Sequence, residues 1–179
     1  MARVLYITYD GILEPLGQSQ VLSYLKLLSK EHKIYLLSFE KKKDKESFET
    51  YQAIKDQCSS AQIKWFKLTY RKSLLGTFWN IFIGTCLSFF ICIQNRITLV
   101  HARSYLPSFI ALLINKLLKR KFIFDMRGFW ADEKADSGVW RKKGLLYKIT
   151  KVLEKKFFIN ASHIISLTSA GKEEIKSFS

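Results

Sequence analysis

Between Asp125 and Trp140 the sequence sets Asp125, Asp132, Glu133 and Asp136 beside Arg127, Trp130 and Trp140. Carboxylates and a guanidinium there can bind hydroxyls and phosphates, and indole faces can stack on a sugar or an acyl chain. The same residues allow a purely structural arrangement, with Arg127 paired to Asp125 or Asp132 and the tryptophans capping the core. A second group runs from Asp10 to Gln20. Gly17, placed at a helix start, lets backbone N–H groups approach a phosphate, and the helix dipole favours the anion. The alternative is a plain helix entry with Gln18 and Gln20 in solvent. The stretch is neither Gly-x-Gly-x-x-Gly nor a Walker loop, which argues against a nicotinamide dehydrogenase or a P-loop enzyme. A third stretch, His101 to Pro107, carries Arg103 as a candidate binding residue.

These stretches need elements to hold them. Apolar, β-branched segments alternate with segments of helical period, the pattern of βαβ units and a parallel sheet. Strands are expected at Arg3 to Tyr9, Lys33 to Phe39, Gln62 to Leu68, Ile97 to Ala102, Lys121 to Asp125 and His163 to Leu167. Helices are expected at Gly17 to Ser29, Lys45 to Gln57, Ser73 to Gln94, Leu106 to Leu118 and Trp140 to Ile159, with a last one opening near Ser169. Leu22, Leu25 and Leu28, then Ile110, Leu113 and Leu117, recur at the spacing of one buried helix face. The expected fold is α/β: a Rossmann-like three-layer domain of about six mostly parallel strands with helices on both faces. Such sheets bind ligands beyond the carboxyl ends of their strands, where all three candidate stretches fall. No repeat or linker divides residues 1–179, which read as one domain.

With 48% apolar residues, the 179-residue chain can bury a sizeable core. Thirty Lys and Arg against fifteen Asp and Glu give a net charge of +15, an excess that points to a negatively charged partner. Nucleic acid, an anionic membrane surface and a phosphorylated substrate all qualify. The lysines are spread over several helices without a nucleic-acid motif, so a basic nucleic-acid-binding module remains only as an alternative and nucleic acid is not the expected partner. The segment 41–45 reads as a solvated turn. Cys58, Cys86 and Cys92 share no metal-ligand spacing and read as buried and reduced. The amino terminus reads as a first strand rather than a signal peptide, so a cytoplasmic location is expected.

From Ser73 to Asn95 there is no charge. Three readings are open: a membrane span, a core helix, and a helix partly immersed in a membrane surface. A true span would place its flanking strands on opposite sides of the membrane and destroy the sheet. The helix after Trp140 alternates Lys148, Lys151, Lys155 and Lys156 with Ile149, Val152 and Leu153, and reads either as a surface helix or as one docked on anionic head groups.

Four stretches carry a family resemblance: Arg3 to Ile7, Leu16 to Gln20, Ile123 to Glu133, and His163 to Ile175. Together they resemble the amino-terminal domain of family 4 retaining glycosyltransferases over essentially the whole chain. The loop Asp125-Met126-Arg127-Gly128-Phe129-Trp130-Ala131-Asp132-Glu133 is similar to that of a bacterial branch that builds surface polysaccharides. The resemblance implies one half of a GT-B fold, in which two Rossmann-like domains face across a cleft. It implies transfer with retained anomeric configuration and no bound metal or cofactor, a nucleotide sugar being the donor substrate.

Carried over, Gly17 would approach the donor diphosphate, and Asp125 and Arg127 would be catalytic, facing the reacting sugar. Asp10, Arg103, Trp130 and Glu133 would serve the acceptor, a saccharide or a lipid-linked one. The usual second-domain parts are not in this sequence, so a C-terminal nucleotide-sugar-binding domain is the expected partner and the chain alone is expected to be inactive or nearly so. A membrane-associated subunit of a split transferase fits the same residues. The expected place is the cytoplasm, with a peripheral position on the inner face of the cell membrane as an alternative.

Overall fold

Val4 to Thr8 and Ile34 to Glu40 are buried at every residue, which a strand achieves only when both faces of its sheet are covered. A computed structural model describes residues 1–42 and 48–176 and places six strands in one sheet. They are β1 (Arg3–Thr8), β2 (Lys33–Glu40), β3 (Lys64–Thr69), β4 (Leu99–Arg103), β5 (Lys121–Met126) and β6 (His163–Ser166). Their order is β3-β2-β1-β4-β5-β6 and every neighbouring pair is parallel. The chain winds outward from β1 in one direction, then returns and winds in the other. The boundary between β1 and β4 is therefore the switch point at which such sheets open a crevice.

The first helical segment runs from α1 (Pro15–Gly17) through a π turn (Gln18–Leu22) into α2 (Ser23–Leu28). With α3 (Phe48–Ser60) it covers one face, where Val4, Tyr6, Leu25, Leu36 and Ile54 form a core. α4 (Leu74–Gln94), α5 (Tyr105–Leu118) and α7 (Leu145–Asn160) cover the other, where Leu5, Phe39 and Phe122 of the sheet form a second core with Ile110 of α5 and Phe157 of α7. Each such side chain, fully buried, contributes roughly 1.5–3 kcal/mol. Two shorter helices complete the described chain: α6 (Trp130–Asp136), between β5 and α7, and α8 (Ser169–Lys176), after β6.

The differences from the sequence expectation have local causes. β3 starts two residues late, because Gln62 sits at φ 54 in the preceding turn. β4 begins at Leu99 and extends through Arg103. The stretch expected as loop after β5 folds into α6, with Asp132 and Glu133 in its first turn where the helix dipole favours them. α7 starts at Leu145 rather than Trp140, after a turn closed by Gly144 N–H on the Arg141 carbonyl at 2.7 Å. Residues 45–47 of the expected second helix, and 43–45 of the expected turn, lie outside the described residues. Lys41 within that turn pairs with Glu14, Nζ to Oε2 at 2.6 Å.

α4 lies in the helix layer over the sheet that its own flanking strands belong to, so it is not a span separating them. Its buried face is narrow, and at Gly84 an added Cβ would stand 2.8 Å from Ile110 Cδ1 and 2.9 Å from Phe39 Cζ. Its other face is exposed. Cys58 and Cys92 are buried and burial pushes both thiols up to about 11, whereas Cys86 is exposed, contrary to the expectation of three buried thiols. Position 86 falls four residues after Phe82 on the outward face.

Candidate functional site

Parallel register brings Thr8, Arg103 and Asp125 side by side at the carboxyl ends of β1, β4 and β5. Beyond β1, the Asp10 N–H donates to Thr8 Oγ1 at 3.2 Å, which turns Asp10 toward β4. Arg103 is only 5% exposed and is held on three sides. Its Nε lies 3.5 Å from Asp10 Oδ2, its Nη1 3.9 Å from Asp125 Oδ2, and its Nη2 donates to Gln20 Oε1 at 2.5 Å. Arg127 reaches the same groups from β5, with Nη1 4.0 Å from Asp125 Oδ1 and Nη2 donating to Gln20 Oε1 at 3.2 Å.

Asp125 thus faces Arg103, Arg127 and also His101, whose Nε2 is 3.5 Å from Oδ2. His101 Nε2 and Arg103 Nε are buried and make no hydrogen bond among the described residues. Buried polar atoms of this kind hold unspent hydrogen-bonding capacity. Tyr6 packs on His101 at 4.5 Å between ring centroids; burial, reinforced by the Asp125 charge, raises its hydroxyl pKa and keeps it neutral.

The first loop is fixed from below. Glu40 is fully buried and accepts from Ile12 N–H at 3.0 Å, Leu13 N–H at 3.1 Å and Ser38 Oγ at 2.5 Å. The π turn that follows widens the helix by one residue, a device common at functional sites, and Gln20 lies within it. Gly17 is buried, and a Cβ there would lie 2.0 Å from the Gly11 carbonyl oxygen. Glycine at 17 is therefore required for the helix to pack on its own loop. The cleft wall nearby is formed by Leu16 and Gln20.

That cleft has a volume of about 440 Å³, with Tyr9, Asp10, Gln20, Arg103, Arg127 and Trp130 on its walls. Ser104 also lines it and sits at φ 71, ψ −176, a conformation close to glycine-only. Asp125 is 6% exposed and stands behind the two arginines, not among the residues that line the cleft.

The loop after β5 is bolted to α5 and α7. Tyr105 donates to Glu154, lies 3.2 Å from the Gly128 carbonyl and accepts the Trp130 N–H at 3.3 Å. Burial, then the Glu154 bond, raises the Tyr105 pKa. Trp130 packs tilted against Tyr105 and edge-on against Trp140, at 5.6 and 5.0 Å between ring centroids. Lys151 binds both Glu154 and Asp132, the latter at 2.9 Å, and the Tyr147 hydroxyl donates to Asp132 Oδ1 at 2.7 Å. Burial would raise the Asp132 pKa, but these two bonds outweigh it and hold the carboxyl low. For Lys151 burial pulls down and the two carboxylates prevail upward.

Of the residues picked from sequence, Asp10, Arg103, Asp125, Arg127 and Trp130 come together. Glu133 does not. Its carboxylate lies over Gly128 and lines a second depression of about 390 Å³ across the loop, with Asp132, Asp136 and Thr168; Arg127 belongs to both walls. Gln20 and His101, which join the cluster, were not singled out. Both lie in stretches that the sequence marked, and their type alone carried no further signal. Among the described residues no three His, Cys, Asp or Glu side chains converge to hold a metal ion.

No protein-family model matches this sequence, and no curated protein does. Solved structures share its fold. A sucrose-phosphate synthase from Thermosynechococcus elongatus superposes with a TM-score of 0.71 at 9% identity, over 99% of this chain and 45% of that one. Anabaena HepE in complex with UDP-glucose gives 0.60 at 12% identity, over 99% and 41%. A UGT transferase from Siraitia grosvenorii in complex with UDP gives 0.55 at 8%, over 99% and 44%. The chain spans less than half the length of these structures. The likeness shows a Rossmann-like α/β fold of the kind that makes up one half of a GT-B structure.

Proposed function

We propose that this chain is the acceptor-side half of a retaining glycosyltransferase that moves a sugar from a nucleotide sugar to a saccharide or lipid-linked acceptor, in the synthesis of cell-surface polysaccharide. The observation that carries the reading is the arginine cleft at the β1, β4 and β5 ends, in a fold that makes up less than half of chains solved with UDP and UDP-glucose. The nucleotide-sugar-binding domain that completes the cleft is a further domain or a separate subunit.

In this reading Arg127, half-buried on the cleft wall, stabilises the negative charge that grows on the diphosphate as its bond to the anomeric carbon breaks. Asp125 and Gln20 aim that guanidinium. Asp10, whose side chain is 54% exposed, accepts a hydrogen bond from an acceptor hydroxyl, and Arg103 holds Asp10 in place. Trp130 offers a face to the acceptor ring. Gly17 acts by letting the first loop pack, which sets Leu16 and Gln20 on the wall, and Glu133 serves a more distant part of the acceptor. Rate acceleration comes from positioning and from charge stabilisation.

The test is transfer of labelled sugar from a panel of nucleotide sugars, measured for this chain alone and together with a nucleotide-sugar-binding second domain. Little or no transfer by the chain alone, restored by the second domain with the donor's anomeric configuration, is the expected result. Ordinary turnover by the chain alone would overturn the half-enzyme reading, and a product of inverted configuration would overturn retention.

A further inference from the structure

The layer formed by α4, α5 and α7 carries an outer surface that the cleft does not explain. On α4 the buried side chains are small or polar, Gly76, Asn80, Gly84, Ser88 and Cys92, alongside Ile91. The bulky ones face outward: Leu75 is 80% exposed, Trp79 50% and Phe82 59%, with Phe78 and Phe90 beside them. A helix placed only to stabilise a core shows the opposite distribution. α7 continues the surface with exposed Leu146, Ile149 and Val152, and α5 packs between the two.

The exposed charges on α4, α5 and α7 have one sign. α4 has none, α5 has Lys116, and α7 has Lys148, Lys151, Lys155 and Lys156. The single carboxylate, Glu154, is buried and bonded to Tyr105 and Lys151. Arg71 and Lys72 precede α4 and Arg96 follows it. An exposed apolar row edged by cations and free of exposed anions is complementary to a bilayer with anionic head groups. A second copy of the same layer would set lysine against lysine.

We infer that the outer face of α4 and α7 docks on an anionic bilayer surface, with Leu75, Phe78, Trp79, Phe82 and Phe90 inserted at the acyl boundary and the α7 lysines at head-group level. The docking stands on this helix layer alone and holds whatever the cleft does. Its consequence for the cleft does rest on the transferase reading: on the inner face of α4 Asn80 Nδ2 donates to Tyr9 Oη at 2.7 Å, and Tyr9 lines the cleft, so a docked α4 holds the cleft wall close to the membrane and to an acceptor carried on a lipid.

Cys86 is the reporter, an exposed thiol on the outward row of α4 between Phe82 and Phe89. The purified chain is floated with vesicles of phosphatidylglycerol and phosphatidylcholine, or of phosphatidylcholine alone, while a charged maleimide labels Cys86. Co-flotation with the anionic vesicles only, weakened by salt, and protection of Cys86 by them are expected. Replacing Lys148, Lys155 and Lys156 by Gln together should weaken binding roughly a hundredfold. Trp79→Glu with Phe82→Glu should abolish it. Labelling of Cys86 at the same rate with and without vesicles, equal binding to neutral vesicles, or protection of Cys86 in a dimer formed without lipid would each overturn the inference. The labelling experiment uses the unaltered chain, so it decides the matter even where a variant fails to fold. Vesicle binding and sugar transfer are read separately, and either can fail without the other.

Discussion

Arg103 on β4 and Asp125 on β5 are direct cross-strand partners, and their side chains meet 3.9 Å apart at the carboxyl end of the sheet. Arg103 also holds Asp10 and Gln20, so it joins the first loop, the π turn and β5 through one buried guanidinium. Arg103→Ala leaves Asp125 buried with less compensation and should cost about 3–5 kcal/mol of stability in chemical denaturation. Asp10→Ala, at an exposed partner, should cost under about 1 kcal/mol.

Gly17 separates a packing role from a ligand role. Gly17→Ala should force the first loop off Gly11 and lower stability by about 3 kcal/mol, read as a shift in the denaturation midpoint with no nucleotide sugar present. An unchanged midpoint would return Gly17 to a direct role toward the donor.

Ser104 stores strain at the cleft. With φ 71 and ψ −176 it occupies a region that costs about 1–3 kcal/mol for a residue with a side chain. Ser104→Gly should raise stability by about 1 kcal/mol. A loss of stability would show that the Ser104 side chain contributes more than its backbone costs.

The attachment of α6 to α7 should depend on pH at both extremes. Asp132 is held below its ordinary 3.8, so its contribution is complete above that value and disappears as the pH falls through the lower folded one. Lys151 is held above 10.5, so its contribution is complete below that value and disappears as the pH rises through the higher folded one. Fluorescence of Trp130 and Trp140, which pack on one another at this junction, should be constant between these limits and change outside them. Asp132→Asn should remove the acid change and leave the alkaline one.

Much of the sheet was legible, because buried β-branched runs such as Val4 to Thr8 have no other stable home and because alternation with helices forces parallel pairing. The helix α6 was not. Its residues from Trp130 to Asp136 have too few apolar positions to show a period, and what orders it is Tyr105, Lys151 and Tyr147 on distant elements. The clustering of Asp10, Arg103, Asp125 and Arg127 followed from their places at strand ends. Which of them stand on the wall and which behind it depends on strand register and on the π turn that brings Gln20 between the arginines. Periodicity says nothing of either. Gly17 shows the same limit: a glycine at a helix start fits a phosphate and fits a tight loop contact equally well until the loop's path is known.

The most direct test is sugar transfer by this chain completed with its second domain, compared between the native sequence and Arg127→Ala. Arg127 is half-buried and its loss leaves the Arg103–Asp125 pair and the sheet intact, so the fold should survive with little change in midpoint. Turnover should drop by roughly a hundredfold or more, as for loss of one charge-stabilising group. Unchanged turnover in a folded variant would contradict the account and leave the arginine cleft a structural feature only.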